Sequence, residues 1–189
     1  MPPTNICEAK SAPEAAREQE VAVLAHCLLN PYTRVKGLRS FMFRPAGPVI
    51  QLPCPEALYL GLDRWAVTRN QLDVPEFRRF CRSLILHYAD LMEMLVRQGT
   101  GIRIVGLAGS PSCGVDTTSH GYAGGRPAGC EHKHVPGQGI FMEELLAELG
   151  RRGISFRAEE VGQKRVSESE FGSMPEIAPF QRQEMDRFE

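Results

Sequence analysis

Three short apolar runs, each followed closely by a cysteine, constrain the fold of this chain most strongly. The runs cover residues 21–25, 48–53 and 102–108, and the cysteines that follow them are Cys27, Cys54 and Cys113. Apolar runs of this length, rich in Val, Ile and Leu, are typical of strands that are covered on both faces. Because the carboxyl ends of parallel strands meet at one edge of an open sheet, we expect the three thiols to share a site.

The segments between these runs alternate with them as helices would. Residues 73–98 place apolar side chains at three- and four-residue steps, which predicts a long amphipathic helix. We interpret Asp73 and Glu76 as its capping box and Gly99 as its end. Cys81 lies on the apolar stripe, where we expect a buried side chain without a chemical role.

The second half of the chain continues the alternation. A long glycine-rich segment, residues 115–138, shows no periodicity and is predicted to be a functional or mobile loop. A helix is predicted at residues 139–149, with Gly150 as its end, and a fourth strand at residues 154–158, with Val161 close behind.

Alternating strands and helices predict one α/β domain, a flavodoxin- or Rossmann-like three-layer fold with a mostly parallel sheet and helices on both faces. A chain of 189 residues suits a single domain with a full core. We expect residues 1–19 to be a flexible lead-in, residues 20–162 to form the domain and residues 163–189 to be a charged tail. Cys7, in the lead-in, is interpreted as an exposed thiol without a role.

Composition narrows the function classes. The formal net charge of −1 disfavours nucleic acid and acidic membrane surfaces as partners. No apolar run approaches the roughly 20 residues that span a bilayer, and the first residues lack a signal-peptide core. We therefore predict a cytoplasmic protein, in which six cysteines indicate metal or catalytic chemistry and packing, and not a disulfide framework.

Cys54 stands at a favourable place for chemistry. Pro55 suits the first position of a helix, so Cys54 is predicted to be the N-cap residue, with Glu56 in the first turn. The positive end of a helix stabilises a thiolate, which is the form that binds metal or attacks carbon.

Three motifs carry a resemblance to a known family. Residues 26–30 read His-Cys-Leu-Leu-Asn, residues 51–56 read Gln-Leu-Pro-Cys-Pro-Glu, and residues 109–114 read Gly-Ser-Pro-Ser-Cys-Gly. Together they resemble the thiouracil desulfidase (TudS) family, and most closely a TudS-related branch of it, over residues 21–149. The resemblance implies a 4Fe-4S cluster held by Cys27, Cys54 and Cys113, whose fourth iron takes sulfur from a thiocarbonyl substrate. The implied reaction is non-redox: water replaces the sulfur on carbon, and hydrosulfide leaves.

Such a reaction needs a base and a proton source beside the carbon that water attacks. We assign the general acid/base role to Glu56, and Ser112 or Ser110 is expected to donate a hydrogen bond to substrate or sulfide. The substrate-binding candidates are His26, Asn30 and His120. His26 and the histidine-rich loop depart from the best-known thiouracil enzymes, so the predicted substrate is a thiouracil-like thiolated nucleobase or another thioamide.

Other chemistries remain open from the sequence. A zinc set is available in Cys130, His132 and His134, with His120 upstream. The alternatives for this loop are a solvated lid and contact of one of its histidines with substrate. Cys113 is also a candidate nucleophile, activated by His26 or by a histidine of the loop. A binding module without enzymatic activity is the third reading, in which the glycines of residues 137–139 bind phosphate at a helix start.

Overall fold

A computed structural model describes residues 19–35, 38, 43–124 and 133–162 of the chain. Cys7, Cys130 and His132 lie outside the described residues, as do nearly all of the predicted lead-in and tail. No described helix is both long enough and apolar enough to cross a membrane.

A four-stranded sheet forms the centre of the domain. The strands in chain order are β1 Glu20–Leu24, β2 Val49–Gln51, β3 Gly101–Leu107, β4 Thr117–His120, β5 Lys133–Pro136 and β6 Arg157–Val161. The sheet has the order β2-β1-β3-β6, and every pairing in it is parallel. Val23 lies beside Ile50 in β2 and beside Ile104 in β3, which fixes the register at the centre of the core. The predicted α/β class is confirmed, and the arrangement is consistent with a three-layer single domain.

Five helices accompany the sheet in the described residues. They are α1 His26–Leu29, α2 Pro55–Leu60, α3 Arg69–Leu72, α4 Pro75–Arg97 and α5 Ile140–Arg151, and a 3-10 turn spans Pro31–Thr33. Helices α4 and α5 pack against each other, and α4 buries the apolar stripe that the sequence predicts. Cys81 is completely buried in this stripe, as expected.

Two predicted helix ends are wrong and one is confirmed. Helix α4 begins at Pro75 after Val74, which makes no side-chain cap, so the predicted capping box with Asp73 does not form. Asp73 instead pairs with Arg69 and Arg78. Gly99 has a positive φ of 86° just past the end of α4, as expected of a helix stop.

The predicted stop at Gly150 is wrong, because α5 continues to Arg151. The residue with positive φ after this helix is Gly153, at 67°. When two glycines lie three residues apart, the sequence therefore does not show which of them follows the end of the helix.

The segment predicted as an irregular loop contains a β-hairpin. Strands β4 and β5 pair antiparallel, with Thr118 beside Val135 and Ser119 beside His134. The two strands are four residues long and mostly polar, so they carry no periodic apolar signal.

Candidate active site

Three cysteines line one cavity of about 260 Å³ at the carboxyl edge of the sheet. Cys27 lies in α1 directly after β1, Cys54 caps α2 after β2, and Cys113 lies in the turn after β3. The chain leaves β1 for β2 on one side and then crosses to β3 on the other, so the cavity lies at the switch point of the strand order. The topology thus brings together the three thiols that the sequence analysis groups.

The turn that carries Cys113 is held by its own backbone and by a serine. The Leu107 amide donates to the Cys113 carbonyl at 3.0 Å, and the Gly114 amide donates to the Ser110 carbonyl at 3.2 Å. The Ser110 hydroxyl accepts the Cys113 amide proton at 3.0 Å. Ser110 therefore shapes the turn in addition to lining the cavity.

Helix α5 holds the same turn from outside through its first amides. The three bonds, each 3.0 Å long, run from Gly139 to the Gly114 carbonyl, from Ile140 to the Pro111 carbonyl and from Met142 to the Ser112 carbonyl. A Cβ at Gly139 would lie 2.6 Å from the Ser112 oxygen, so only glycine permits this approach. These bonds disfavour the phosphate alternative at residues 137–139, because the Gly137 and Gly139 amides already donate to the carbonyls of Asp116 and Gly114.

Glu56 is the centre of a buried polar network. The Ser112 hydroxyl donates to Glu56 Oε1 at 2.5 Å, and Arg64 Nε lies 3.2 Å from Oε2. The Arg64 and Glu56 side chains are only 4% and 8% exposed, so this ion pair is shielded from water. Arg64 also donates to the carbonyls of Thr33, at 2.8 Å, and Gly61, at 3.2 Å. The network fixes both oxygens of the carboxylate and directs one of them at Ser112.

Ser112 also contacts the thiol of its neighbour. Its hydroxyl oxygen lies 3.4 Å from Cys113 Sγ and 3.5 Å from Ser110 Oγ. A hydroxyl has a single proton to donate, so Ser112 gives it either to Glu56 or to the sulfur. Ser112 is therefore placed to link the carboxylate to the thiol edge of the cavity.

Burial controls the ionisation of the three thiols. It raises the pKa of Cys27 to about 12, and the neighbouring Cys54 and Glu56 add to the increase. The pKa of Cys113 lies well above its usual value because of burial, with further contributions from Cys27 and Cys54. Burial also raises the pKa of Cys54. This effect outweighs the hydrogen bond from the Ala57 amide to Cys54 Sγ, 3.4 Å long, which lowers the pKa. The helix start at α2 does not produce the low pKa that the sequence analysis anticipates.

These pKa values bear on the nucleophile alternative. A cysteine nucleophile acts as thiolate, which requires a pKa near or below neutrality. The hydrogen bond to Cys113 Sγ comes from Ser112, and His26 directs its ring elsewhere. The geometry disfavours Cys113 as a free nucleophile.

His26 lines the cavity, whereas Asn30 is not among the described lining residues. Nδ1 of His26 lies 3.2 Å from the Leu52 carbonyl, and Nε2 lies 3.5 Å from the Asn30 amide nitrogen. The side-chain oxygen of Asn30 accepts the Tyr32 amide proton and caps the 3-10 turn. Substrate binding by these two residues stays a prediction.

His120 and His134 lie on the hairpin in different surroundings. Nε2 of His120 lies 3.0 Å from the Asn70 amide nitrogen, and His120 is outside the described lining of the cavity. His134 lines the cavity and rests on Gly109. The predicted contact of His120 with substrate likewise stays a prediction.

Within the described ranges, no group of three or more Cys, His, Asp or Glu side chains is arranged to hold a single metal ion. Thiolates that bind a 4Fe-4S cluster each contact a different iron, so they need not converge on one point. The zinc set that the sequence suggests includes Cys130 and His132, which lie outside the described residues.

Arg34 and Arg64 have no predicted role in the sequence, and His134 is predicted there as a zinc ligand, a loop base or a candidate substrate contact among the loop histidines. All three line the cavity. Burial lowers the pKa of Arg34, and the nearby Cys27 opposes that decrease. No sequence pattern singles out Arg34 or Arg64, and only their contacts reveal their position.

Comparison with known proteins yields one distant relative. The uncharacterized protein MJ0003 of Methanocaldococcus jannaschii is 24% identical over 150 residues, which cover 74% of this chain and 84% of the relative. No protein-family model matches the chain. No solved structure matches it.

Proposed function

We propose that this protein is an iron–sulfur-dependent, non-redox desulfidase that replaces the sulfur of a thiocarbonyl compound with oxygen from water. The observation that carries the proposal is one cavity lined by three cysteines from three strand ends, together with the buried network of Ser112, Glu56 and Arg64. Hydrosulfide and a carbonyl compound are the products, and the net reaction consumes one water molecule.

The donor set fits a cluster with three protein ligands. Cys27, Cys54 and Cys113 would hold a 4Fe-4S core, which would supply a thiophilic iron site without a protein ligand. Cys113 is buried, Cys27 and Cys54 are partly buried, and all three have raised pKa values, so they stay neutral unless a positive core compensates their charge. The cavity therefore disfavours free thiolates, and binding of a core would release the three thiol protons.

The chain's own residues supply the proton chemistry. Glu56 is the acceptor for the proton of the attacking water, since Arg64 holds one of its oxygens and leaves the other on the Ser112 side. The Ser112 hydroxyl donates its one proton to this carboxylate before the reaction and to the departing sulfur during it. Glu56 takes one proton of the attacking water and releases it to solvent after turnover, and the second proton of that water leaves with the sulfur as hydrosulfide.

The size of the cavity limits the substrate. Ligand pockets usually have volumes of roughly 300–1,000 Å³. A core bound by the three cysteines would occupy part of the cavity of about 260 Å³, and the remaining space suits a small compound such as one thiolated heterocycle or a short thioamide. We place the reaction in the cytoplasm, where reducing conditions keep thiols available for iron.

Iron and acid-labile sulfide analysis after anaerobic reconstitution tests the cofactor. We expect about four irons per chain. Replacing Cys27, Cys54 or Cys113 by Ser removes the iron and the release of hydrosulfide from 2-thiouracil and thioamides. Cys81→Ser is the matched control, because Cys81 is buried in α4 away from the cavity, and it keeps both. Full retention of iron by Cys54→Ser contradicts the proposal.

Glu56→Gln tests the acid/base role separately from the cofactor. It keeps the iron and lowers kcat about 10²- to 10⁴-fold, the usual contribution of a positioned general base. Glu76→Gln, in the first turn of α4, is the control because its carboxylate is exposed and pairs with Arg79. Unchanged turnover in Glu56→Gln assigns the proton transfer to another residue.

A further inference from the structure

His134 is an exposed residue that lines the cavity. The hairpin that carries it is tied to the cavity walls on its β4 side. The Thr118 hydroxyl donates to the Ser110 carbonyl at 3.1 Å, and the Ser119 hydroxyl donates to the Val67 carbonyl at 3.3 Å. Ser119 and His134 are paired in the hairpin, so these bonds also fix the position of His134.

Gly109 provides the space for the imidazole. A Cβ at this position would lie 2.5 Å from Cε1 of His134 and 2.7 Å from Nε2. The φ of Gly109 is 72°, a conformation that residues with a side chain rarely adopt. Both the contact and the backbone therefore require glycine, and the ring is held against the turn that leads to Cys113.

The ring nitrogens of His134 differ from those of the other histidines near the site. Those of His26 face Leu52 and Asn30, and His120 faces Asn70. Neither nitrogen of His134 makes a hydrogen bond to the described part of the chain, although the residue lines the cavity. A ring nitrogen of His134 is available to a molecule bound there.

The remaining wall of the cavity explains why such a contact would matter. Glu56 and Ser112 are already bonded to each other, Val67 and Leu107 present apolar surface, and Arg34 adds a guanidinium group to the wall. A ligand with polar groups on more than one edge needs a second hydrogen-bonding partner.

We propose that His134 contacts the substrate and forms a hydrogen bond to a polar ring atom next to the thiocarbonyl, so that it selects thiolated heterocycles over simple thioamides. The inference rests on the proposed function for the nature of the substrate. It adds a specificity-determining residue that no motif indicates.

Two variants of the reconstituted protein test the inference, with 2-thiouracil as the probe. His134→Ala weakens the binding of 2-thiouracil and raises its KM about 3- to 10-fold, the effect of one lost hydrogen bond, while iron content and Tm are unchanged. The KM for thioacetamide changes less than twofold. Gly109→Ala displaces the ring and raises the KM for 2-thiouracil in the same direction. His87→Ala, on the exposed face of α4, is the control and leaves both KM values as they are.

The possible results separate this inference from the proposed function. Loss of 2-thiouracil binding in His134→Ala, in a protein that releases no hydrosulfide, supports the contact and overturns the desulfidase. Hydrosulfide release with an unchanged KM in His134→Ala overturns the contact and supports the desulfidase. A protein that neither binds nor converts 2-thiouracil overturns the inference, and an equal rise in KM for both compounds overturns the selectivity.

Discussion

The ion pair between Glu56 and Arg64 is the most constrained contact of the site. Both side chains are nearly inaccessible to water. The other two nitrogens of the Arg64 guanidinium each donate a hydrogen bond to a backbone carbonyl. Removing one partner of a buried pair leaves an uncompensated charge, which costs far more than an exposed pair contributes. Arg64 therefore acts as a positioning residue that determines where the Glu56 carboxylate points.

Arg64→Met is expected to destabilise the protein by about 3–5 kcal/mol, because it leaves the Glu56 carboxylate buried without its partner. Arg64→Lys keeps the charge and is expected to lose less unfolding free energy than Arg64→Met, although an ammonium group cannot reproduce the planar fork of the guanidinium. Urea unfolding at pH 7 measures both. The control is Arg79→Met, whose pair with Glu76 is 60% and 63% exposed and contributes about 0–1 kcal/mol. Equal stability of Arg64→Met and the wild type would disprove the role of this pair.

Two elements, α5 and β6, form hydrogen bonds with the Cys113 turn and the segment after it. Helix α5 donates its first amides to the turn, and β6 contributes the carboxylate of Glu160 to the backbone that follows it. The proposed roles of Cys113 and Ser112 require such support, since small displacements at a reacting group are costly.

Gly139→Ala inserts a methyl group where the Ser112 carbonyl and the Cys113 amide already lie. We expect a loss of about 1–3 kcal/mol in unfolding free energy and a lower iron content, because the turn must move. Gly150→Ala is the matched control: a Cβ there meets nothing within 4 Å, and the residue is inside α5. That variant is expected to gain about 0.5–1 kcal/mol from helix propensity. Thermal unfolding and iron analysis compare the two proteins, and a destabilised Gly150→Ala would remove the distinction.

Glu160 binds the segment after Cys113 by four hydrogen bonds. Its Oε2 accepts the amides of Val115, Asp116 and Thr117 at 3.0, 2.9 and 3.1 Å, and its Oε1 accepts the Thr117 hydroxyl at 2.6 Å. Burial alone would raise the pKa of this carboxyl, but the bonds from Thr117 and the two other amides outweigh it and lower the pKa. The folded state thus favours the charged form of Glu160.

Because the pKa is lowered on folding, Glu160 contributes stability above the unfolded value of about 4.3 and loses it as the pH falls through the folded value. Glu160→Gln is expected to cost about 1–2 kcal/mol at pH 7 and progressively less in acid. Urea titrations at pH 7 and pH 4 test this. Glu159→Gln, which alters an exposed pair with Arg103, serves as the control. A loss in Glu160→Gln that is equal at both pH values would contradict the assignment.

The whole domain is needed to assemble the site. Each cysteine follows a different strand, and the strand order brings β1 and β2 together while β3 lies on the other side of β1. A group bound by all three cysteines therefore links the connections that follow three neighbouring strands. Such a group binds the native state and not the unfolded chain.

Cluster loading is accordingly expected to raise the Tm of the protein, by an amount that grows with binding affinity. Differential scanning calorimetry of the iron-free and reconstituted forms measures the shift. Cys113→Ser abolishes it, whereas Cys81→Ser lowers the Tm of both forms and keeps the shift between them. A shift that persists in Cys113→Ser would show that iron binds elsewhere.

Much of the domain can be predicted from local sequence. The apolar runs identify three strands of the sheet, because strands covered on both faces require continuous apolar side chains. The stripe of α4 is equally clear, since a long helix repeats its pattern many times. Pro55 places Cys54 at the start of α2, and the structure agrees to the residue.

Other features depend on contacts between distant residues. The hairpin of β4 and β5 is polar and short, and its stability comes from bonds to Ser110 and Val67 that no local pattern encodes. Arg64 meets Glu56 and Thr33 only because α2 ends beside the 3-10 turn. From the sequence, Gly139 is a candidate phosphate-binding glycine. In the structure, its amide already donates a hydrogen bond to a carbonyl of the Cys113 turn. Local sequence establishes which segments form strands and helices, because propensity and burial pattern act within an element. The partners of buried polar groups are decided only when the elements pack, because hydrogen bonds and charges are satisfied by whatever side chain or carbonyl the fold brings within reach.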